Sequence, residues 1–411
     1  MEATSRICAC NAILIGVRLT KSSKKPHAIA TMPPTIAVNG RFLTQPMVGV
    51  QRFAIEVVKA IDGLIDDGEY ASLDGRIELL APPSAREFPL RHIPVRRCGV
   101  GGGYFWEQVE FPLHARGSLL LNLCILGPVA VRRQVVVVHD ATVRARPSTF
   151  SWRFRAAYNF LIPQLCRRAA CPVTVSEFSR REIGKWYGAD VGRMPVCLEG
   201  GDHITAIDAD HSIIERLGLA GRKYFLGVGI GKNKNLEAQV AAFHKAGLTD
   251  TLLVLTGLRY PRVSGSPENL HWDGVRNAGY VTDAELRALY EHALALVFPS
   301  YYEGFGLPPV EAMTCGCPVI ISTQPALLEM CGDAALACNA DDVDELARLM
   351  RLLHDDPSRR AAMTAAGRTR AMQFTWRSTA RILLDLCMQI ASNEAGVASA
   401  NPALPQARAS F

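Results

Sequence analysis

The chain has 411 residues, more than one hydrophobic core usually holds, so its length predicts two domains. Its 49% apolar and 20% charged content is ordinary for a soluble globular protein. No run approaches the roughly eighteen uncharged apolar residues of a membrane-spanning helix. The best apolar segment, 7–17, contains Asn11 and also argues against a signal peptide.

Charge is distributed unevenly along the chain. Residues 1–200 hold 26 Lys and Arg against 16 Asp and Glu, and the other 211 residues hold 19 against 23. The basic amino half indicates attraction to an anionic membrane surface or to a pyrophosphate-linked acceptor. The alternative is that its arginines are scattered and solvated, without a common partner. No nucleic acid partner is expected, because the arginine pairs are not interleaved with aromatics in a recognisable motif. The twelve cysteines include no C-x-x-C pair, which favours core thiols in a reducing compartment.

The first half predicts strands separated by loops and helices. Residues 1–31 predict a flexible extension before Met32, since one weak apolar patch lies among polar and basic residues. Gly49 precedes an amphipathic helix with Phe53 and Val57 on its apolar face, and it either permits the turn or lets the backbone approach a ligand. Short apolar runs predict strands at 35–38, 76–80, 119–123, 134–138 and 171–175.

Polar residues follow two of these strands. His139 and Asp140 come directly after the strand at 134–138, and open α/β sheets bind ligands at the carboxyl ends of parallel strands. Ser176 follows the strand at 171–175 and can cap the next helix. The glycine-rich segment 99–104 predicts a mobile loop.

The second half opens near Lys223 with a strand, a glycine-rich turn and a helix. The turn GVGIG invites a dinucleotide-binding interpretation, but the next strand, 252–256, ends in Gly257 and not in the acidic residue that such sites use. Asp208 and Asp210 form a D-x-D pair in a polar linker with no strand before it, which argues against a metal site.

The stretch 294–322 predicts a strand, a glycine-rich turn, a helix and a second strand. Gly304 and Gly306 allow a tight turn and the close approach of a ligand. Pro308 and Pro309 open the helix, so the free N–H groups of the turn point to a position that suits an anion.

Two carboxylates frame this turn, Glu303 before it and Glu311 in the helix. Beside a phosphate each carboxylate needs a neutral partner, and the hydroxyls of a sugar and a ribose would serve. The local chemistry therefore indicates a nucleotide sugar. The same residues also fit a plain strand-to-helix turn, with Glu303 solvated and Glu311 as a favourable charge near the helix start.

The run PSYYEGFGLPPVEAM resembles the donor-site signature of glycosyltransferase family 4, with its E-G-F-G-x-P-x-x-E frame. The resemblance, over about residues 35–390, implies the α/β fold GT-B: two Rossmann-like domains with parallel sheets facing across a cleft. It implies an acceptor-side domain at 32–205, a nucleotide-sugar-binding domain at 206–372 and a helix at 373–391 that crosses back to the first domain. Composition predicts a disordered tail at 392–411.

The resemblance also implies roles for single residues. The catalytic residues would be Glu303 and His139, beside the transferred sugar, and Lys234, at the donor diphosphate. His139 and Asp140 would lie on the acceptor side. Ile230 stands where many members carry an arginine, so Lys232 is implied as the second cation. The donor-binding residues would be Gly49, Lys232, Lys234, Val281, Glu303, Gly304, Phe305, Gly306, Leu307 and Glu311, the last of which would hold the ribose.

The implied activity is a retaining hexosyl transfer from a nucleotide diphosphate sugar to a saccharide or lipid-linked acceptor, without metal or cofactor. The run VNGRFLTQPMVGVQRFA and WEQ at 106–108 resemble bacterial mannosyltransferases of surface-polysaccharide assembly, so we expect GDP-mannose, with a UDP-hexose as the alternative. We expect a cytoplasmic protein with peripheral contact at the inner face of an anionic plasma membrane.

Two other functions remain open on the sequence. One is an NAD-dependent oxidoreductase built on GVGIG, against which the absent ribose-binding acid argues. The other is a catalytically idle sugar-binding subunit, against which the intact Glu303, Glu311 and Lys234 argue.

Overall fold

A computed structural model describes residues 35–229, 231–257 and 273–395. The predicted extension at 1–31 and the end of the chain from residue 396 lie outside the described residues. The described residues contain two six-stranded sheets, in which all paired strands run parallel.

The first sheet has the order β3-β2-β1-β4-β5-β6. Its strands are β1 Ile36–Asn39, β2 Ile77–Ala81, β3 Val95–Arg97, β4 Leu119–Asn122, β5 Gln134–Val137 and β6 Cys171–Val173. The second sheet has the order β12-β11-β10-β7-β8-β9. Its strands are β7 Lys223–Val228, β8 Thr251–Thr256, β9 Val275–Gly279, β10 Ala295–Phe298, β11 Val319–Ser322 and β12 Leu336–Cys338.

Helices connect the parallel strands, as crossover connections require. In the first half they are α1 Gly49–Asp66, α2 Gly103–Phe105, α3 Phe111–His114, α4 Thr142–Ala145, α5 Trp152–Arg168 and α6 Glu177–Tyr187. In the second half they are α7 Ser212–Arg216, α8 Leu236–Ala246, α9 Asp283–His292, α10 Leu307–Thr314, α11 Pro325–Cys331, α12 Val343–Asp355, α13 Pro357–Ala371 and α14 Trp376–Ala395. The predicted α/β fold with two Rossmann-like sheets is confirmed.

The core of the first half forms between the sheet and α1. Phe53, Val57, Ile61 and Leu64 are fully buried on one face of α1, as the apolar periodicity predicts. The ten cysteines of the described residues are free thiols, nine of them buried, which agrees with the prediction of core thiols. Within the described part of the chain, no helix is long and apolar enough to cross a membrane.

The last helix, α14, returns from the second half to the first. Gly201 N donates to Phe374 O at 3.1 Å where the linker between the halves meets the start of this helix. Further along, Tyr70 donates to Asp385 at 2.7 Å, and the Arg377 and Arg381 guanidinium groups both bind the Glu69 carboxylate. The predicted crossover helix is therefore present.

Two local predictions need correction. The helix α14 ends at Ala395, so residues 392–395 are helical and not part of a disordered tail. The glycine-rich segment 99–104, predicted as a mobile loop, is held at its start by hydrogen bonds, because the Glu110 carboxylate accepts from the Val100 and Gly101 N–H groups.

Candidate donor-binding site

The side chains of Lys234 and Glu303 form an ion pair at the carboxyl ends of β7 and β10. Lys234 Nζ lies 2.7 Å from Glu303 Oε1, and both side chains are largely buried. The same ammonium lies 4.5 Å from the centre of the Phe298 ring. A partly buried, compact positive charge at this edge is suited to an anionic ligand.

Backbone geometry brings the lysine and the glutamate together. Asn233 O accepts from Tyr301 N at 2.8 Å, and Asn233 Nδ2 donates to Tyr302 O at 3.2 Å, so the β7–α8 turn is clamped to the residues before Glu303. Gly229 has φ +93° and faces the stem of Lys234, where an added Cβ would lie 3.3 Å from Cε. Gly229 of GVGIG therefore makes room for the lysine in this turn.

The turn between β10 and α10 leaves backbone donors free. Gly306 has φ +110° and is the N-cap of α10, with Pro308 and Pro309 in the first turn, as predicted. The N–H groups of Gly304, Phe305 and Gly306 donate no hydrogen bond within the described residues. Free N–H groups at the start of a helix carry partial positive charge, which suits an anion.

Glu311 lies buried one turn into α10, in a cluster with Tyr290, His203 and Arg52. Tyr290 donates to Glu311 Oε2 at 3.1 Å, and His203 Nε2 lies 3.1 Å from Oε1. Burial opposes ionisation, yet His203, Arg52 and Tyr290 outweigh it and lower the pKa of the Glu311 carboxyl below its usual value. Glu311 is therefore held as a carboxylate that can accept hydrogen bonds from hydroxyl groups.

The tautomer of His203 follows from its neighbours. The indole N–H of Trp376 can only donate, and it lies 3.0 Å from His203 Nδ1. Nδ1 therefore accepts, and the hydrogen of the neutral ring sits on Nε2, facing Glu311. The first residue of α14 thus fixes the ring that supports the carboxylate.

His139 is buried, with both ring nitrogens facing protein atoms. Nε2 lies 2.9 Å from Leu123 O, which can only accept, so Nε2 carries a hydrogen. Nδ1 lies 3.4 Å from Glu199 Oε1, and burial raises the pKa of the Glu199 carboxyl. Both ring nitrogens thus face groups of the first half, and the His139 backbone, not its ring, approaches Gly304.

The first half supplies two further contacts to this region. Arg52, one turn after Gly49 in α1, binds Asp283 at the start of α9, so the predicted Gly49 and Val281 segments approach each other across the cleft. An added Cβ at Gly49 would meet nothing within 4 Å, so packing within the protein does not require the glycine.

The remaining predicted residues have simpler surroundings. Asp140 accepts from Thr142 N at 2.8 Å and borders Gly304. Lys232 begins the short turn Lys232–Lys234, but its side chain and Ile230 lie outside the described part of the chain. Asp210 accepts from Ser212 N at 3.0 Å and so initiates α7. Among the described residues, no group of three or more acidic, His or Cys side chains could hold a metal.

Several residues of the site were not predicted from the sequence. They are Arg52, Glu199, His203, Asn233, Tyr290 and Trp376. Only His203 had a local signal, since it follows the glycine pair and Asp202 at the junction of the halves. Tyr290 and Trp376 reach the site from distant segments, and a sequence pattern does not reveal such contacts.

Comparison with known proteins agrees with this geometry. The family profile described as "Glycosyl transferases group 1" matches residues 213–370. The chain is 32% identical to the O-antigen chain mannosyltransferase B of Escherichia coli over 270 residues, 61% of this chain and 69% of that protein. It is 29% identical to the O-antigen chain mannosyltransferase RfbU of Salmonella typhimurium over 216 residues, 52% of this chain and 58% of that protein.

Solved structures share the fold at low sequence identity. The sucrose-phosphate synthase of Thermosynechococcus elongatus superposes with a TM-score of 0.66 at 18% identity, covering 87% of this chain and 99% of that one. The HepE protein of Anabaena, in complex with UDP-glucose, superposes with a TM-score of 0.63 at 17% identity, covering 88% of this chain and 99% of that one.

Proposed function

Because this chain belongs to the group 1 glycosyl transferases and has their GT-B arrangement, we propose that it is a retaining hexosyltransferase that uses GDP-mannose. The observation that carries the proposal is the Lys234–Glu303 pair beside the free N–H groups of the 304–306 turn. The similarity to two O-antigen mannosyltransferases supports mannose as the sugar and a surface-polysaccharide intermediate as the acceptor.

Donor binding divides between the turn before α10 and Glu311, one turn into the helix. Lys234 and the N–H groups before the helix face the diphosphate, and Glu303 accepts from hydroxyls of the hexose. Glu311, kept ionised by His203 and Arg52, accepts from the ribose hydroxyls. Gly49 at the start of α1 and the backbone of Val281 close the donor site from the other side, at the diphosphate and the base.

Catalysis in this arrangement rests on charge and position. A nucleoside diphosphate is a good leaving group, so protonation is unnecessary and the enzyme must stabilise negative charge on the departing phosphate. Lys234 and the α10 terminus supply that stabilisation without a metal or a cofactor. The acceptor hydroxyl attacks from the face that the phosphate leaves, with the phosphate as proton acceptor, and His139 and Asp140 line the acceptor side.

The proposal is tested by incubating the full chain with GDP-mannose, UDP-glucose and UDP-galactose together with a lipid-linked saccharide acceptor. We expect transfer from GDP-mannose and an α-configured product by proton NMR, which retains the configuration of the donor. Transfer from a UDP-sugar alone would overturn the assignment of the donor, and an inverted product would overturn the mechanism. NAD(H)-dependent turnover without transfer would overturn the function itself.

We also propose that α5 contacts an anionic membrane. Trp152 and Phe160, two helical turns apart, have 71% and 65% of their surface exposed. The segment 141–176 contains no Asp or Glu, but has arginines at 144, 146, 153, 155, 167 and 168. Exposed aromatics among unopposed arginines are typical of a surface that binds anionic lipid headgroups. Arg146 stacks on Tyr301 of the second half, so this surface borders the cleft.

Vesicle sedimentation tests the membrane contact. We expect the protein to sediment with phosphatidylglycerol vesicles at 50 mM salt, not with phosphatidylcholine vesicles, and to dissociate in 0.5 M salt. Replacing both Trp152 and Phe160 by Ala should weaken binding, whereas Met372→Ala, a 72% exposed apolar control on the second half, should not. Equal binding by both variants would contradict the assignment of α5.

A further inference from the structure

The carbonyl of Gly304 accepts two hydrogen bonds from the other half of the molecule. Ser176 Oγ lies 2.5 Å and Ser179 Oγ 2.9 Å from Gly304 O. Ser176 is the N-cap of α6 and Ser179 lies in its first turn, and both are fully buried. A carbonyl oxygen has two acceptor sites, so these two hydroxyls saturate it.

Fixing this carbonyl also fixes the next N–H group. A trans peptide is planar, so the N–H of Phe305 points opposite to the Gly304 carbonyl. The carbonyl faces α6 of the first half, and the Phe305 N–H therefore faces away from α6. That N–H is one of the free donors of the turn before α10.

The close approach of the halves depends on the glycine. An added Cβ at Gly304 would lie 2.9 Å from His139 O and 3.0 Å from Asp140 Cβ. Any side chain there would push the turn away from the first half and lengthen the two serine hydrogen bonds. The absence of a side chain at Gly304 therefore permits the close approach of the first half as well as the tight turn.

The start of α6 is held on the second half by two further contacts. The Glu329 carboxylate of α11 accepts from the N–H groups of Glu177 at 2.8 Å and Phe178 at 2.9 Å. The Phe178 ring packs edge-on against Tyr302, with ring centres 5.4 Å apart. Free donors at the start of α6 are thus satisfied by the other half of the molecule.

We propose that Ser176 and Ser179 are positioning residues, which reach across the cleft to aim the Phe305 N–H at the donor. The proposal rests on the proposed function of the turn as the donor site. Since both serines belong to the first half, the donor turn is fully oriented only when the two halves are in contact. The first half therefore contributes to donor binding indirectly, because its two serines orient the N–H group of Phe305, a residue of the second half.

Ser179→Ala is the cleanest test, because this hydroxyl binds only Gly304 O, whereas Ser176 also caps α6 through Ser179 N. In the full chain we expect kcat to fall about tenfold or more, with the donor KM changed less than threefold and the melting temperature nearly unchanged. Ser179→Cys, a weaker donor of similar size, should give an intermediate kcat. Ser118→Ala removes an exposed serine hydroxyl that lies before β4 and donates to Thr35 Oγ1, and it should leave kcat unchanged.

A second measurement does not depend on activity. Gly-Phe occurs once in the sequence, at 304–305, so labelling with carbonyl-13C glycine and 15N phenylalanine gives a single correlated resonance for this peptide. We expect the resonance to shift in Ser179→Ala and to stay in place in Ser118→Ala. An unmoved resonance in Ser179→Ala, or an unchanged kcat, would overturn the positioning role. A shifted resonance in a chain that transfers no sugar would overturn the proposed function, but it would still show that Ser179 orients the 304–305 peptide.

Discussion

At the scale of single residues, the site is built from carboxylates whose neighbours decide their charge. Glu311 and Glu199 are both buried, yet their pKa values move in opposite directions. His203 and Arg52 face Glu311 and favour its ionised form, whereas Glu199 has only His139 to offset its burial, with the charges of Glu311 and Asp140 nearby. Environment, not residue type, thus decides in which direction the pKa of each buried carboxyl moves.

Glu311→Ala should chiefly weaken binding of the nucleotide. Loss of the buried acceptor removes its hydrogen bonds to the ribose and leaves the Tyr290 hydroxyl without its acceptor, which typically costs about 1–3 kcal/mol. Calorimetric titration with GDP measures the effect, with Glu345→Ala on the exposed face of α12 as control. Wild-type affinity in a folded Glu311→Ala protein would rule out the ribose role.

Glu199→Gln should alter the pH dependence of stability. The pKa of Glu199 is raised in the folded state, so its stabilising contribution is complete below the ordinary pKa and is lost as pH rises through the raised value. Gln stays neutral, so the variant should gain stability relative to wild type on going from pH 4 to pH 8. The gain is about 1.4 kcal/mol per unit of pKa displacement.

Urea denaturation at several pH values checks this expectation, with Glu87→Gln as the control because that side chain is 87% exposed. A difference between Glu199→Gln and wild type that stays constant with pH would show that Glu199 is ionised throughout.

At the scale of elements, the helices and strands predicted best from the sequence are those determined by a pattern within a few neighbouring residues. Strands β1, β5 and β8 and helix α1 lie within a residue or two of their expected places, because short apolar runs and a 3.6-residue period determine them. The same holds for the turn at 303–311, where Gly and Pro have fixed conformational roles. Helix α5 gives no clear signal, because its exposed Trp152 and Phe160 blur the amphipathic pattern.

The WEQ segment shows what a local pattern does not reveal about the contacts of its own residues. It supported the expected substrate, yet its three side chains bind within the first half. Trp106 donates to Cys98 O, Glu107 binds Arg41, and Gln108 donates to Gly127 O, each at 2.8 Å. These residues hold the scaffold on which the acceptor side rests, and long-range contacts of this kind cannot be predicted from spacing.

Trp376→Phe tests how the start of α14 supports Glu311. The ring would still pack against Phe53, but the N–H that fixes the His203 tautomer would be lost. We expect a stability loss of about 1–3 kcal/mol by urea denaturation, from the unpaired buried acceptor, together with weaker GDP binding. Trp152→Phe, at an exposed site, should change neither, and unaltered GDP affinity in Trp376→Phe would remove α14 from the donor site.

At the scale of the whole molecule, two halves with separate sheets share one site. Arg52 pairs with Asp283, α6 contacts the 304 turn, and α14 supports His203, so each half completes groups of the other. Lys234 and the α10 terminus, which supply the positive charge of the proposed donor site, both lie within the second half.

We therefore expect activity to survive EDTA and to depend on Lys234. Removing one preorganised group that stabilises a developing negative charge typically costs about 10²–10³ in kcat. Lys234→Ala should lose a factor of this order, whereas Lys59→Ala on the exposed face of α1 should not. Initial rates with and without EDTA, and with added manganese, measure both effects, and activity that disappears in EDTA and returns with manganese would refute the metal-free mechanism.

The return of α14 to the first half also affects how the protein is made. Arg377 and Asp67, which pair across this contact, are 310 residues apart in the chain. At about 5–20 residues per second, the ribosome needs roughly 15–60 s to add that length. During this interval α1 has been synthesised, but α14, which packs against it, has not. The apolar surface that Leu383 and Leu384 cover in the folded protein is exposed during this time and accessible to chaperones. A chain truncated before α14 could not bury this surface.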